Sequence, residues 1–202
     1  MTSVWYGFAA VCLAVIAVVT WRALRQGARR YLAIQQLALA CGGQAKGDRF
    51  EGQFERIAYR GYCEMPLGSE AQALMLHLAV PCAVPGWFAV CRRHRIAVFV
   101  SWVFPARCVQ VGDPTFDSAF VVTTPSPSLA RAFFADAMRR EMVRRLFALG
   151  HTRLELNRAW LDAQWPARHT HLEDVTAAFI QQTIRCLSAI VEHVPAARCV
   201  AR

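Results

Sequence analysis

The sequence predicts an α+β fold: a largely antiparallel sheet with amphipathic helices packed on one face, preceded by an N-terminal transmembrane helix. Three observations lead to this prediction. Residues 4–21 carry no charged side chain. Between residues 50 and 124, short runs rich in Val, Phe and Trp follow one another too closely for crossover helices. Two later segments repeat apolar residues at helical spacing. An apolar content of 55% over 202 residues excludes a disordered chain.

The first predicted element is the uncharged run at residues 4–21. Its length is at the lower limit for a helix that crosses a bilayer, and aromatic residues lie at both of its ends, where they favour the headgroup level. No basic residue precedes the run and no good cleavage site follows it, which disfavours a signal peptide. A buried core helix is the other alternative, but such a helix seldom lacks a polar face. We therefore predict a transmembrane anchor at residues 1–21.

The residues after this run predict the orientation. Arg22, Arg25, Arg29 and Arg30 follow it directly, so the positive-inside rule places the N-terminus outside and the C-terminal domain in the cytoplasm, at the bacterial inner membrane. Eight cysteines without a CxxC pair suit a reducing compartment, although an even number also allows disulfides in a periplasmic domain. The same four arginines predict contact with the membrane surface and with anionic lipid headgroups.

The remaining chain divides into three predicted parts. Residues 22–43 form a juxtamembrane basic helix, which ends at a glycine pair suited to a left-handed helix cap. Residues 44–195 form a cytosolic α+β domain, and residues 196–202 form a tail. Alternating or apolar runs predict the strands of the domain near residues 50–59, 72–80, 87–93, 96–104 and 120–124.

The second half of the domain mixes helices with a hairpin. Ser128 is predicted to cap a long helix that Gly150 stops, with a restart at Asp136 as an alternative. The run TRLELNRAWLDAQW at residues 152–165 predicts a hairpin. Apolar residues at helical spacing then predict an amphipathic helix that Pro195 ends.

The net charge of +9 does not indicate a nucleic-acid partner. The basic residues are almost all arginine, with Lys46 as the single lysine. No recognisable nucleic-acid-binding module or interleaving of basic and aromatic residues is present. We therefore predict no nucleic-acid partner and take the lipid bilayer as the partner of the basic residues.

The most motif-like segment contains Gly112, Asp113, Pro114 and Asp117. Two carboxylates in different environments can divide acid and base roles between them. Gly-Asp-Pro is also ordinary turn chemistry, and an Asp such as Asp117 commonly accepts hydrogen bonds from nearby backbone N–H groups. We therefore interpret the four residues as a structural turn and cap and predict no catalytic role for them.

The run Gly112-Asp113-Pro114-x-Phe116-Asp117-x-x-Phe120-x-Val122 resembles a GDPxFDxxFxV segment of uncharacterised bacterial membrane-anchored proteins, a domain of unknown function. The upstream stretch at residues 50–54, FEGQF, is similar as well. The resemblance covers roughly residues 30–194. It implies an apolar N-terminal span, then a helix and a short pair of strands after the segment, and it carries over no catalytic or binding residues.

The most metal-like cluster is His169, His171 and Asp174. Imidazoles with a carboxylate suit zinc or a similar ion, whereas the same segment also suits the N-terminal cap of the last helix. No nucleophile elbow, phosphate loop or dinucleotide fingerprint is present, so we expect no cofactor and no enzyme. The leading interpretation is a membrane-tethered cytosolic interaction or scaffolding domain with an unknown protein partner. The alternatives are a peripheral module that binds anionic lipid and a membrane-bound metal-dependent hydrolase.

Overall fold

The computed structural model describes residues 2–64, 74–84, 86–93, 107–157, 159–167 and 175–192, without the side chains of residues 2–11, 23, 26, 29, 30, 107 and 167. The helices are α1 (Thr2–Ala40), α2 (Pro114–Ala119), α3 (Pro127–Phe134), α4 (Ala137–Ala148) and α5 (Ala177–Glu192). The strands are β1 (Gly43–Lys46), β2 (Arg49–Phe54), β3 (Ile57–Glu64), β4 (Leu74–Pro81), β5 (Trp87–Arg92), β6 (Arg107–Val109), β7 (Phe120–Thr124), β8 (Arg153–Asn157) and β9 (Trp160–Ala167).

All nine strands form one antiparallel sheet with the order β1-β2-β3-β4-β9-β8-β5-β7-β6. The first four strands are consecutive neighbours, as expected for a meander. The β8–β9 hairpin, which is late in the sequence, lies between β4 and β5. It pairs with β4 from Leu74↔Ala167 to Pro81↔Trp160 and with β5 from Trp87↔Asn157 to Cys91↔Arg153. The hairpin therefore joins two smaller sheets into one.

One face of this sheet forms the hydrophobic core. Leu76, Leu78 and Val80 alternate along β4 and point to this face, which is also where α5 contributes Ile184 and Leu187. The last two turns of α1 and the Phe-rich helices α3 and α4 add their buried residues to the same cluster. The α+β arrangement of amphipathic helices on one face of a largely antiparallel sheet is thus as the sequence predicts.

The predicted transmembrane anchor is wrong. Among the described residues, no helix combines the length and the apolar character that a bilayer crossing needs. The α1 helix has 39 residues, and its uncharged run ends at Trp21, directly before the charged Arg22. The predicted boundary at residue 21 also falls inside α1, which continues through Gly27 as one helix.

The C-terminal end of α1 shows how the helix is joined to the sheet. Gly42 has a φ of +71°, which is the left-handed conformation that ends many helices and that glycine adopts at little cost. Tyr59 on β3 donates a hydrogen bond to the carbonyl oxygen of Cys41 at 3.2 Å. The buried side chains of Ile34 and Leu37 pack in the core. The C-terminal quarter of α1 is therefore an integral part of the domain.

The region from residue 112 to residue 150 departs from its predicted elements in two places. The GDPxFD segment contains the short helix α2, which was not among the predicted elements. A helix of six residues that begins at a proline and runs into a strand is too short to show a helical repeat of apolar residues. The predicted alternative of a restart at Asp136 is confirmed: the segment is divided at Ala135 into α3 and α4, and Asp136 caps α4 by accepting from Met138 N at 2.8 Å. The first of the two helices begins at Pro127, before the predicted cap at Ser128.

Candidate functional site

The N-terminal part of α1 extends away from the core and exposes apolar side chains. We define the helical arm as residues 12–32 of α1. Leu24 is 68% exposed and Leu13 is 66% exposed, and neighbouring side chains are similarly open. The exposed apolar members of the arm are Leu13, Val15, Ile16, Val18, Val19, Trp21, Leu24, Tyr31 and Leu32. Because they surround the helix instead of forming one stripe, the arm lacks the polar face of an ordinary surface helix.

The charged residues of the arm are all basic. Arg22 and Arg25 are exposed, and the guanidinium of Arg25 lies 5.3 Å from the centroid of the Trp21 ring. Arg29 and Arg30 belong to the same helix, but their side chains are outside the described part. The first acidic residue of the chain is Asp48. In the described part of the arm, Arg22 and Arg25 therefore lie next to exposed apolar side chains, and the sequence of α1 contains no acidic residue.

The sheet face opposite the helices carries polar side chains in two rows that cross the strands. The register of β2, β3, β4, β9 and β8 places the two rows side by side. The first row is Glu51, Arg60, Ala79, Asp162 and Glu155, and the second row is Arg49, Tyr62, His77, Gln164 and Arg153. This polar face is the part of the domain where titratable groups meet.

The centre of the polar face holds a hydrogen-bonded cluster of Tyr62, His77 and Asp162. Tyr62 Oη donates to Asp162 Oδ2 at 3.2 Å, and His77 Nδ1 lies 2.9 Å from the same oxygen. Because a carboxylate only accepts, Nδ1 carries the proton in this pair. The Tyr62 and His77 rings stack with their centroids 4.2 Å apart. Burial, reinforced by the Asp162 carboxylate, raises the pKa of Tyr62 far above its ordinary value.

This cluster links three strands, and the second imidazole nitrogen of His77 lies towards Glu64. His77 is 6% exposed, and its Nε2 lies 3.6 Å from Glu64 Oε2 at the open rim of the face. Its partners are distant in the sequence, so spacing does not reveal them. The available signal is a lone histidine within the apolar run LMLHLAV of β4. Among the described residues, no group of three or more His, Cys, Asp or Glu is arranged to hold a metal ion.

A cleft of about 730 Å³ lies beside this cluster, across β1, β2 and β3. Its walls carry Lys46, Arg49 and Arg60 as basic side chains and Glu51 as an acidic one, and Tyr62 also lines it. The guanidinium carbon of Arg60 lies 3.9 Å from the centroid of the Trp160 ring. The cleft is therefore basic overall and is held in shape by the paired strands beneath it.

The four residues of the predicted turn and cap lie together before β7. Asp113 caps α2 by accepting from Thr115 N and Phe116 N, both at 3.0 Å, and its other oxygen accepts from Arg140 Nε at 2.7 Å. The backbone hydrogen bond from Phe116, together with Arg140, lowers the pKa of Asp113.

Asp117 turns back to the preceding loop. It accepts from Val111 N at 2.9 Å and from Gly112 N at 3.1 Å. Gly112 has a φ of +92°, a conformation that favours glycine. Both carboxylates are thus occupied by backbone N–H groups. The predicted metal cluster of His169, His171 and Asp174 lies outside the described residues.

A second histidine, His151, is buried next to α5. It is 2% exposed, its Nε2 lies 3.0 Å from Thr183 Oγ1, and its ring stacks on Phe179 with centroids 5.4 Å apart. Burial lowers its pKa to about 4, and the Gln164 backbone and Asp162 oppose this effect in part. His151 faces no cleft among the described residues, so it is a core residue.

No protein-family model matches the chain, and no curated protein matches it. The chain aligns with the crystal structure of the mycobacterial trehalose monomycolate transport factor A, TtfA, at 12% sequence identity and a TM-score of 0.42. The alignment covers 73% of this chain and 74% of TtfA. No functional conclusion follows from a likeness of this size. The resemblance to the GDPxFD proteins stays a prediction.

Proposed function

We propose that this chain is a membrane-associated interaction module whose helical arm docks on an anionic bilayer surface. The observation that supports the proposal is the exposure of apolar side chains around the arm, directly beside Arg22 and Arg25, which form no ion pair with any described residue. Folded proteins rarely leave a contiguous apolar surface of this kind uncovered unless it binds a membrane or another protein. The bilayer is favoured because α1 has arginines and no acidic residue.

Three features of the arm suit contact with a bilayer surface. Apolar side chains such as Leu13 and Val19 gain free energy when they leave water. Trp21 is suited to the headgroup level, and Arg25 beside it is suited to lipid phosphates. We place the domain at the cytoplasmic side of the bacterial inner membrane, where its polar sheet face is free to meet a protein partner.

Flotation of the full chain with lipid vesicles tests the proposal. We expect the protein to float with vesicles of phosphatidylcholine and phosphatidylglycerol, and to be released as the salt concentration rises. Each arginine near an anionic leaflet contributes about 1 kcal/mol. The double substitution Arg22→Gln and Arg25→Gln should therefore lower vesicle binding by about 30-fold.

The matched control is the double substitution Arg131→Gln and Arg145→Gln, which removes the same charge from exposed positions on α3 and α4. It should bind vesicles like the wild type. A second variant, Val15→Ser with Val19→Ser, should weaken binding to every vesicle composition because it removes apolar area from the arm. Equal binding to neutral and anionic vesicles, or no binding to either, would contradict the proposal.

A further inference from the structure

We propose that the basic cleft across β1, β2 and β3 binds a small ligand that carries a phosphate monoester. This site is separate from the helical arm and does not depend on the proposed membrane role. Its volume of about 730 Å³ falls within the range of small-molecule sites. A ligand of this class is larger than a free phosphate ion and fills a cleft of this size better.

The charge of the cleft is the first argument. Lys46, Arg49 and Arg60 line it, and none of the three has an ion-pair partner within 4 Å among the residues that the structure describes. Several other arginines of the domain form ion pairs: Arg140 with Asp113, Arg153 with Glu155 and Arg185 with Glu55. Arg92, Arg93 and Arg131 donate to backbone carbonyl oxygens instead. The cleft therefore brings together three cations that form no ion pair with any described residue.

Arg60 provides the second argument. Its guanidinium is stacked on Trp160, and its Nε is buried without a hydrogen-bond partner within the described part of the chain. A buried polar atom of this kind is uncommon and calls for a partner. The guanidinium carbon lies over the Trp160 ring, and the planar N–H edge of an arginine matches the oxygens of a phosphate.

The acidic and acceptor groups of the cleft limit where an anion can bind, because they repel it or offer it no proton donor. Glu51 is the acidic side chain that lines it, and it faces Arg60 across the β2–β3 pair without contacting it within 4 Å. The Tyr62 hydroxyl donates its proton to Asp162, so it offers no donor to a ligand. The phosphate group therefore lies against Lys46, Arg49 and Arg60, and Glu51 opposes its binding.

Titration calorimetry of the full chain with glycerol 3-phosphate at low salt tests the site, with inorganic phosphate as the minimal probe. Arg60→Gln should weaken binding at least about tenfold, because it removes a charged hydrogen-bonding group. Glu51→Gln should tighten binding, by about two- to fivefold, because it removes a like charge. Arg145→Gln, which removes an arginine outside the cleft, should leave binding unchanged.

The set of variants separates a binding role from a structural one. Loss of fold does not tighten a ligand, so a gain of affinity in Glu51→Gln identifies the cleft directly. If Arg60→Gln fails to fold, the exposed Arg49→Gln takes its place. Vesicles that contain phosphatidic acid distinguish a lipid headgroup from a soluble phosphate. If the protein binds them more tightly than phosphatidylglycerol vesicles, and if this difference depends on Arg60, the ligand is a lipid headgroup. If it does not, the ligand is soluble. No binding of any phosphate, or equal binding by all variants, would overturn the proposal.

Discussion

Lowering the pH from about 7.5 to about 5 should destabilise the fold through His151. The pKa of this buried imidazole is about 4 in the folded chain, against about 6.5 when it is exposed in the unfolded chain. Between these two values the unfolded chain binds more protons than the folded one, so the free energy of unfolding decreases as the pH falls. The contribution of the neutral His151 to the free energy of unfolding is fully present above about pH 6.5 and is lost progressively down to about pH 4.

The magnitude follows from the difference between the two pKa values. A difference of about 2.5 units at about 1.36 kcal/mol each corresponds to about 3 kcal/mol for the complete titration. By about pH 5, which is part-way through the window, the loss is about 2 kcal/mol. For a domain with a total stability of about 5–15 kcal/mol, this loss is large enough to measure.

Urea unfolding of the wild type and of His151→Gln at both pH values provides the measurement. Gln at this position keeps an amide near Thr183 but does not titrate, so it is the matched control, and all other titrating groups cancel in the comparison. The wild type should lose about 2 kcal/mol more than the variant between the two pH values. If the two proteins lose the same free energy within error, His151 is not held neutral by burial and the reasoning is refuted.

Three further substitutions test local features of the fold by urea unfolding at neutral pH. Gly61→Ala places a Cβ 2.2 Å from Phe50 Cζ, and because that ring is fully buried the change should cost about 1–3 kcal/mol; an unchanged midpoint would show that the ring moves freely. Asp117→Ala removes two backbone hydrogen bonds and should lower the free energy of unfolding by about 1 kcal/mol. A variant that is as stable as the wild type but has lost an activity of the protein would contradict the structural role of Asp117. Asp162→Ala leaves Tyr62 and His77 without their acceptor and should lower the free energy of unfolding by about 1–3 kcal/mol. An unaltered free energy of unfolding would show that these hydrogen bonds do not stabilise the fold.

The sequence predicts those parts of the fold in which neighbouring residues determine the structure. The alternation around Phe50 and Tyr59 and the hairpin over residues 152–165 correspond to β2, β3, β8 and β9. The restart at Asp136 is an example of local chemistry, since its side chain caps α4. The prediction of a transmembrane helix, which rested on the uncharged run at residues 4–21, is wrong, because no helix among the described residues is long and apolar enough to cross a membrane.

The candidate sites depend on distant contacts and were not predictable. His77 and Asp162 are 85 residues apart in the sequence, and they meet because β9 pairs with β4. The stack of Arg60 on Trp160 has the same origin, since these residues belong to β3 and β9. No local periodicity contains the information that a late hairpin lies beside an early strand. By contrast, the arginines that follow the apolar run are visible in the sequence as a basic cluster, because they are close together in the chain.

The position of the β8–β9 hairpin between β4 and β5 has a consequence for biosynthesis. While the ribosome makes the chain, β1–β4 and β5–β7 are completed first, and each set leaves a strand edge without its neighbour. Such edges are prone to pair with other chains. The nascent protein stays in this state until residue 167 has emerged, and long-range pairing of this kind is slow. The nascent chain should therefore need chaperones until the β8–β9 hairpin has formed. Chains that terminate before this hairpin should aggregate during translation.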